Sequence, residues 1–503
     1  MNCSVLLAAA LILRGGAVYT LDEAKPWASA VVIDNGRVVY VGDDAGTKAY
    51  TGKLVDLKGR LVLPGLHDSH LHPMSGGMSL LRCRLGEFKT ASKLYAGVRA
   101  CAAASKSEWL MGRGWSPGVV TPTVARLDEL VPDRPAFLTT EDGYTAWVNS
   151  KALKLAGVES DGGVLRGEAA AKVRKILPKP TQAEYREAFR LAAARLNQFG
   201  ITSLVDANAS AAVVNSYAGM ELTVRVVAAQ QIDPGRGPEQ VDELIALRAK
   251  TRGPRFRADA AKFFLDGELD QHTAAMLEPY AGSTERGSPI PAEALNAIVR
   301  RLDAEGFLIH MHAMGDRAVR AGLDAFEAAA AANGARDRRH QLAHIGVANP
   351  EDIPRFGKLG VTANYTAIWA QPEDEAFASS QAALGPARAR FMYPFGSIAN
   401  AGGRVVGSSD WPSPSMNPFE AMEVAVTREP AQERLTLARI LAAYTKDAAW
   451  AAHEETGTIE IGKAADLIVL DRNLFKIKAS EIHKARVLLT LLDGEPVYRA
   501  AGF

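Results

Sequence analysis

The stretch Gly65-Leu66-His67-Asp68-Ser69-His70-Leu71-His72-Pro73 sets two imidazoles two positions apart behind an apolar run, Leu61-Val62-Leu63. Along a strand, side chains alternate faces, so His70 and His72 project the same way. Two neutral imidazoles side by side are ready ligands for a borderline-soft divalent metal such as zinc. A bare His-x-His is a weak pattern that two unrelated surface histidines also produce. Further along the chain, other polar groups stand where apolar runs end or are interrupted. Lys262 sits in Ala260-Ala261-Lys262-Phe263-Phe264, His310 and His312 in Leu308-Ile309-His310-Met311-His312, His344 behind Gln341, and Asp410 in Ser408-Ser409-Asp410-Trp411-Pro412. The chain has 10 histidines. Eight lie between His67 and His344, and six of those fall on or just after expected strands, which scattered surface histidines would not do.

Each group has a plainer alternative. His312 fits a core histidine with a satisfied ring. Asp410 fits a helix N-cap two positions before Pro412. Lys262 fits a side chain that runs along its strand to water, although a lysine inside an apolar run is costly unless something pairs with it. His310 lies deeper than His312 on the same face and reads as support. His340 precedes its strand and is expected to face solvent, and His67 to orient the loop. His272 follows a strand-end loop and touches either substrate or nothing. Trp115, Tyr144, Trp147 and Trp369 are candidates for a partly aromatic substrate pocket, with core packing as the equal alternative.

The elements that would carry these residues alternate apolar strands with helical stretches, the pattern of parallel βα units. Strands are expected at 61–67, 201–205, 222–228, 258–265, 307–312, 341–345, 361–365 and 404–408, with helices such as 182–199 and 316–333 between them. Eight such strands close a (β/α)8 TIM-like barrel, whose chemistry sits at the C-terminal strand ends. The gap after the first strand is too long for one crossover and reads as an insertion, about 75–180, over the barrel mouth. Both chain ends are β-rich, with two-residue hairpin turns at Asn35-Gly36 and Asp493-Gly494. Neither end has strands enough for a stable sheet alone. Residues 1–60 and 455–503 are therefore expected to form one composite β-sandwich domain, with 61–454 as the barrel.

Composition narrows the function classes. The 503 residues carry a net charge of +1, which gives no reason to expect nucleic acid or an anionic membrane as partner. No window has the apolar length of a bilayer span. Cys3, Cys83 and Cys101 fit neither metal spacing nor an even disulfide framework and read as buried thiols. The apolar stretch from Val5 to Leu13 resembles part of an export signal but lacks a basic start. A cytoplasmic location is the expectation, with the periplasm as the alternative if that stretch is the remnant of a signal.

Leu63-Pro64-Gly65-Leu66-His67-Asp68-Ser69-His70-Leu71-His72 resembles the first-strand signature of the amidohydrolase superfamily. Gly112-Arg113-Gly114-Trp115, Ala146-Trp147-Val148-Asn149-Ser150, Lys262-Phe263-Phe264-Leu265-Asp266-Gly267, His312-Ala313-Met314-Gly315-Asp316-Arg317-Ala318 and Gly407-Ser408-Ser409-Asp410-Trp411-Pro412 are similar to its YtcJ-like branch, which includes N-substituted formamide deformylases. The resemblance implies a metal-dependent hydrolase. His70, His72 and Asp410 would bind one metal, and His312 and His344 a second. Lys262, if carboxylated by CO2 to N6-carboxylysine, would bridge them. The metal would be zinc, one ion or two. Two departures bear on substrate: Tyr144 stands where related chains often carry His, and the segment Asn364 to Trp369 is more aromatic than a strand end requires.

The expectation is a metal-dependent amidohydrolase cleaving a C–N bond (amide, formamide or cyclic amide) in a small molecule, with Asp410 as the proton carrier. Ester or carbamate hydrolysis and ring deamination are alternatives at the same centre. A non-catalytic barrel scaffold is the remaining one, disfavoured because all six ligand positions are occupied. A homodimer is compatible with this reading.

Overall fold

A computed structural model describes residues 10–140, 143, 145–160, 162–288, 290–413 and 415–503. The chain forms two compact units, Met1–His72 with Ala193–Phe503, and Pro73–Ala192.

The first unit contains an eight-stranded parallel sheet in sequence order: β1 Leu66–Leu71, β2 Ile201–Ala209, β3 Arg225–Gln231, β4 Phe256–Phe264, β5 Leu308–Ala313, β6 Gln341–His344, β7 Thr362–Tyr365 and β8 Arg404–Gly407. It is a nearly closed TIM-type barrel. The seam between β8 and β1 is joined just beyond the strands. The Asp410 N–H donates to the His70 carbonyl at 2.8 Å, and the His72 N–H to the Trp411 carbonyl at 2.8 Å. The Asn364 side-chain amide adds a bond to the Ser69 carbonyl at 2.9 Å. Closing the cylinder thus brings Asp410 against the His-x-His pair, although 337 residues separate Asp410 from His72.

One expected strand is two. The run 61–67 breaks at Gly65: Leu61–Pro64 pairs antiparallel with Leu467–Leu470, whereas Leu66–Leu71 pairs parallel with β2. A Cβ at Gly65 would come within 2.2 Å of Thr202 Oγ1, so the crossing from one sheet to the other requires glycine. Leu61–Pro64 belongs to a six-stranded sheet that joins strands from both chain ends, and a four-stranded sheet holds Ala10–Arg14, Ala30–Asp34, Arg37–Gly42 and Gly52–Asp56. Leu13, Val31, Ile33 and Val38 of the smaller sheet share one core with Val62, Leu467, Val469, Leu489 and Leu491 of the larger. Asn35 and Gly36 both take positive φ, as a primed hairpin turn needs.

His340 corrects its expectation of solvent exposure: it is 2% exposed. Its Nδ1 accepts from the Ile309 N–H at 3.2 Å, so Nε2 carries the proton and donates to Asp303 at 3.0 Å. Asp303 also accepts from Asn333 Nδ2 at 2.7 Å, Arg336 Nη2 at 2.7 Å and Arg338 Nε at 2.8 Å. Burial raises the Asp303 carboxyl, but the bonds from His340, Asn333 and Arg338 outweigh it and hold the group below its usual range. A carboxylate depressed on folding stabilises the fold above its unfolded value and loses that contribution as pH falls through the folded one. Asp303→Asn is therefore expected to cost about 1–3 kcal/mol at pH 7, because it removes the shared acceptor of His340, Arg336 and Arg338, the two arginines being only partly buried. The gap between variant and wild type should narrow below about pH 4. Denaturant midpoints at both pH values check it.

The second unit carries a five-stranded sheet, in order Val164–Leu165, Ala146–Val148, Ala136–Thr139, Leu110–Arg113 and Cys83–Arg84. Cys83 and Cys101 are not free thiols but a disulfide that ties the edge strand to helix Ala91–Ala104. A lone bridge within one unit leaves no framework of spaced cysteine pairs in the sequence. Trp115 and Trp147 are core residues of this unit. Their indole N–H groups donate to the Leu138 and Thr123 carbonyls at 2.8 and 2.9 Å.

Candidate metal centre

Three side chains from the two sides of the barrel seam converge. His72 Nε2 lies 3.1 Å and His70 Nε2 3.4 Å from Asp410 Oδ1. One ligand atom from each of the three lies within 4.8 Å of the others, a spacing suited to a single divalent ion. His70 is buried and His72 about a quarter exposed, so the cluster opens on one side. Asp410 takes a φ of +55° and His344 one of +73°. Left-handed backbone at two non-glycine strand-end residues is uncommon and marks positions whose side-chain direction is held by the surrounding structure.

Buried groups hold these ligands in place. Asp68 Oδ1 accepts from the His70 and Ser409 backbone N–H groups at 3.2 and 3.1 Å, tying the end of β1 to the Asp410 segment. Its burial outweighs those bonds and pushes its carboxyl up to about 7. His310 Nε2 sits 2.8 Å from His70 Nδ1. If His70 Nε2 faces a cation, its Nδ1 carries the proton and His310 accepts it, which fixes both tautomers. Burial, and next the charge of Lys262, holds His70 well below its usual value, so it stays neutral as a ligand must.

Lys262 is level with His310 across β4 and β5, fully buried, and its Nζ lies 3.5 Å from His70 Nε2. It does not run to water. Burial pulls its amine down to about 7 against the opposing pull of Asp410 and Glu268. His312 and His344 form the other side, ring centroids 4.7 Å apart, and the His344 ring is 4.6 Å from that of His70. Burial, with Lys262 next, lowers His312 to about 3. His344 Nδ1 is buried with no hydrogen-bond partner among the described residues, a nitrogen left for a ligand. The Trp369 indole stacks on His344 at 4.8 Å. The donor set of neutral imidazoles, a carboxylate and a near-neutral lysine fits a divalent cation of zinc type.

The other expected substrate contacts have these neighbours. His272 stacks on Tyr280 at 4.4 Å. Trp115 and Trp147 are spent in the core of their own unit. Tyr144 lies outside the described residues.

Two residues at the strand ends escaped the sequence reading. Glu268 Oε1 is 3.8 Å from His312 Nε2, and the Phe264 ring is 5.4 Å from the His312 ring. Nearby Asp266 is spoken for: it accepts from the Met314, Gly315 and Ala275 N–H groups at 2.8–2.9 Å, fixing the start of helix Asp316–Asn333. No hydrogen-bond donor reaches the Glu268 carboxylate among the described residues. Burial, then repulsion from Asp410, Asp266 and Asp270, pushes it up to about 8. An acid just past the Asp266-Gly267 turn at the end of β4 was the available signal.

The amidohydrolase family pattern matches residues 53–498. The chain is 28% identical to the amidohydrolase YtcJ of Bacillus subtilis, over 97% of this chain and 99% of the relative. It is 25% identical to an N-substituted formamide deformylase of Arthrobacter pascens, over 98% and 99%. The solved structure of a metal-dependent hydrolase from Pyrococcus furiosus superposes with a TM-score of 0.80 at 27% identity, covering 92% of this chain and 99% of that one.

Proposed function

Because the chain belongs to the amidohydrolase family, we propose that it uses a divalent cation, zinc by its donor set, to hydrolyse an amide, formamide or cyclic amide bond of a small molecule. The observation that carries this reading is the convergence of His70, His72 and Asp410. A bound divalent cation acts as a Lewis acid and brings the pKa of water from about 15.7 toward 7. His70 and His72 would hold that cation together with Asp410, the ring nitrogens of both facing Asp410 Oδ1. Asp410 turns Oδ1 toward both rings, and its carboxylate takes a proton from the attacking water and returns it to the leaving nitrogen. His310 and Asp68 keep His70 and Asp410 in register while the proton moves.

His312, His344 and Lys262 are the remaining members of a two-ion set. A lysine whose amine is partly neutral attacks the carbon of CO2 through Nζ and releases a proton, leaving a carbamate anion. In that form Lys262 would bridge the two positions and offset cationic charge. Burial of Lys262 beside His70 supports this reading.

The test is a panel assay on zinc-reconstituted protein with N-benzylformamide, hydantoin, phenyl acetate and adenine. Release of formate and benzylamine, or ring opening of hydantoin, supports C–N hydrolysis. Turnover of phenyl acetate alone, or ammonia from adenine alone, overturns it in favour of an esterase or a deaminase.

A further inference from the structure

We propose a second ligand site, separate from the metal centre, in which Arg428 and Arg390 receive the carboxylate of an apolar monocarboxylic acid, an aryl- or alkylcarboxylate. It stands independently of the hydrolase reading above.

Arg428 follows helix Pro418–Thr427 and is 5% exposed. A guanidinium this deeply buried is ordinarily paired with an acid. Arg225 shows the usual form: its Nε and Nη2 meet the two oxygens of Asp466 at 2.9 and 3.2 Å. Arg428 has no such partner among the described residues; its bonds go to neutral oxygens. Nη1 donates to the Tyr365 hydroxyl at 2.9 Å and the Tyr393 carbonyl at 2.8 Å, and Nη2 to the Met392 carbonyl at 3.3 Å. A guanidinium has five N–H donors, so one on Nη2 and the one on Nε are left, and Nε is buried with no partner. The acids that follow it in the chain are committed: Glu429 to Arg434, and Glu433 to the Ser397 hydroxyl and, at 2.9 Å, the Ser397 N–H.

Arg428 lines a cavity of about 560 Å³, a volume suited to a small organic molecule. Helices Glu375–Leu384 and Pro386–Ala389 supply Phe377, Ala382 and Pro386 to its walls, and Met392 adjoins them. Arg390 lines the same cavity, is exposed, and has no acidic partner among the described residues; its guanidinium lies over the Phe391 ring at 4.6 Å. The cavity thus sets two arginines against one acid, Glu429, that is already paired. No side chain of the metal centre lines it. Asn364 turns into the barrel to reach Ser69 and Gln341, so the next residue of β7, Tyr365, faces outward, and Arg428 meets the strand from outside. The N–H groups left on Nε and Nη2 match the two oxygens of one carboxylate. The remaining walls are mostly apolar and carry no third cation, so they suit a hydrocarbon body and leave the further oxygens of a phosphate or sulfate unmet.

The probes are 4-phenylbutyrate, its neutral analogue 4-phenylbutanol, and inorganic sulfate, titrated calorimetrically into zinc-reconstituted full-length protein at pH 7. The expected result is binding of 4-phenylbutyrate at least about tenfold tighter than either of the others. Arg428→Gln should close the gap to 4-phenylbutanol. Because Arg428 also ties Tyr365, Met392 and Tyr393 together, a second variant leaves it in place. Ala382→Trp, at an exposed helix position on the cavity wall, fills the space and should weaken 4-phenylbutyrate by at least about tenfold. Equal binding of 4-phenylbutyrate and 4-phenylbutanol overturns the proposal, as does sulfate binding as tightly as 4-phenylbutyrate. So does a preference for the carboxylate that survives Ala382→Trp or a folded Arg428→Gln, which would put that ligand elsewhere, on the zinc included.

Discussion

Asp410→Asn is expected to lower turnover by about 10²–10⁴-fold while leaving the fold intact. The amide keeps the shape of the carboxylate but cannot take up the proton of an attacking water at neutral pH. The backbone of Asp410 is held independently of its side chain, since its N–H donates to the His70 carbonyl and its neighbour Ser409 is bonded to Asp68. Circular dichroism and the denaturant midpoint should therefore stay close to wild type. The metal stays measurable as well, because an amide oxygen still ligates, though less strongly than a carboxylate. Turnover near the wild-type level would remove Asp410 from the chemistry.

His70→Ala carries the second large effect, on the cation itself. His70 supplies one of three converging ligand atoms. It is also the side chain against which His310 Nε2, at 2.8 Å, and Lys262 Nζ, at 3.5 Å, are set. Loss of an outer-shell partner costs about 10–100-fold in metal affinity, so the ligand is expected to cost more than about 100-fold. Competition with a chromophoric chelator measures it. His310→Ala, which removes only the orienting contact, should fall within the outer-shell range. If the two variants bound zinc alike, or if His70→Ala bound as tightly as wild type, His70 would not be a ligand.

Much of this architecture is legible in the chain because it rests on local pattern. Seven of the eight barrel strands fall on the expected runs, β1 lying mostly beyond its run, and helix Asp316–Asn333 shows through the spacing of Val319, Leu323 and Phe326, all buried. His-x-His is visible because alternation along a strand is a local rule. What stays hidden depends on partners distant in sequence. Nothing near Leu61 says that its strand changes sheets at Gly65; the reason is Thr202, which a side chain there would strike. His340 reads as exposed in the sequence because Asp303, its partner, lies on helix Ala292–Ala304, 37 residues away. Glu268 and Phe264 went unmarked for a different reason. An acid in a loop and a phenylalanine in an apolar strand are unremarkable until closure of the barrel turns both toward His312. The Cys83–Cys101 bridge depends on how helix Ala91–Ala104 packs on one short strand, which spacing does not encode.

His70, His72 and Asp410 are expected to share one cation. Anomalous diffraction at the zinc edge, from crystals of zinc-reconstituted protein, addresses it most directly. The expected result is a peak about 2.0–2.2 Å from His70 Nε2, His72 Nε2 and an Asp410 carboxylate oxygen together. A fully reconstituted crystal with no peak among those three atoms, or with zinc held elsewhere in the barrel, would contradict it.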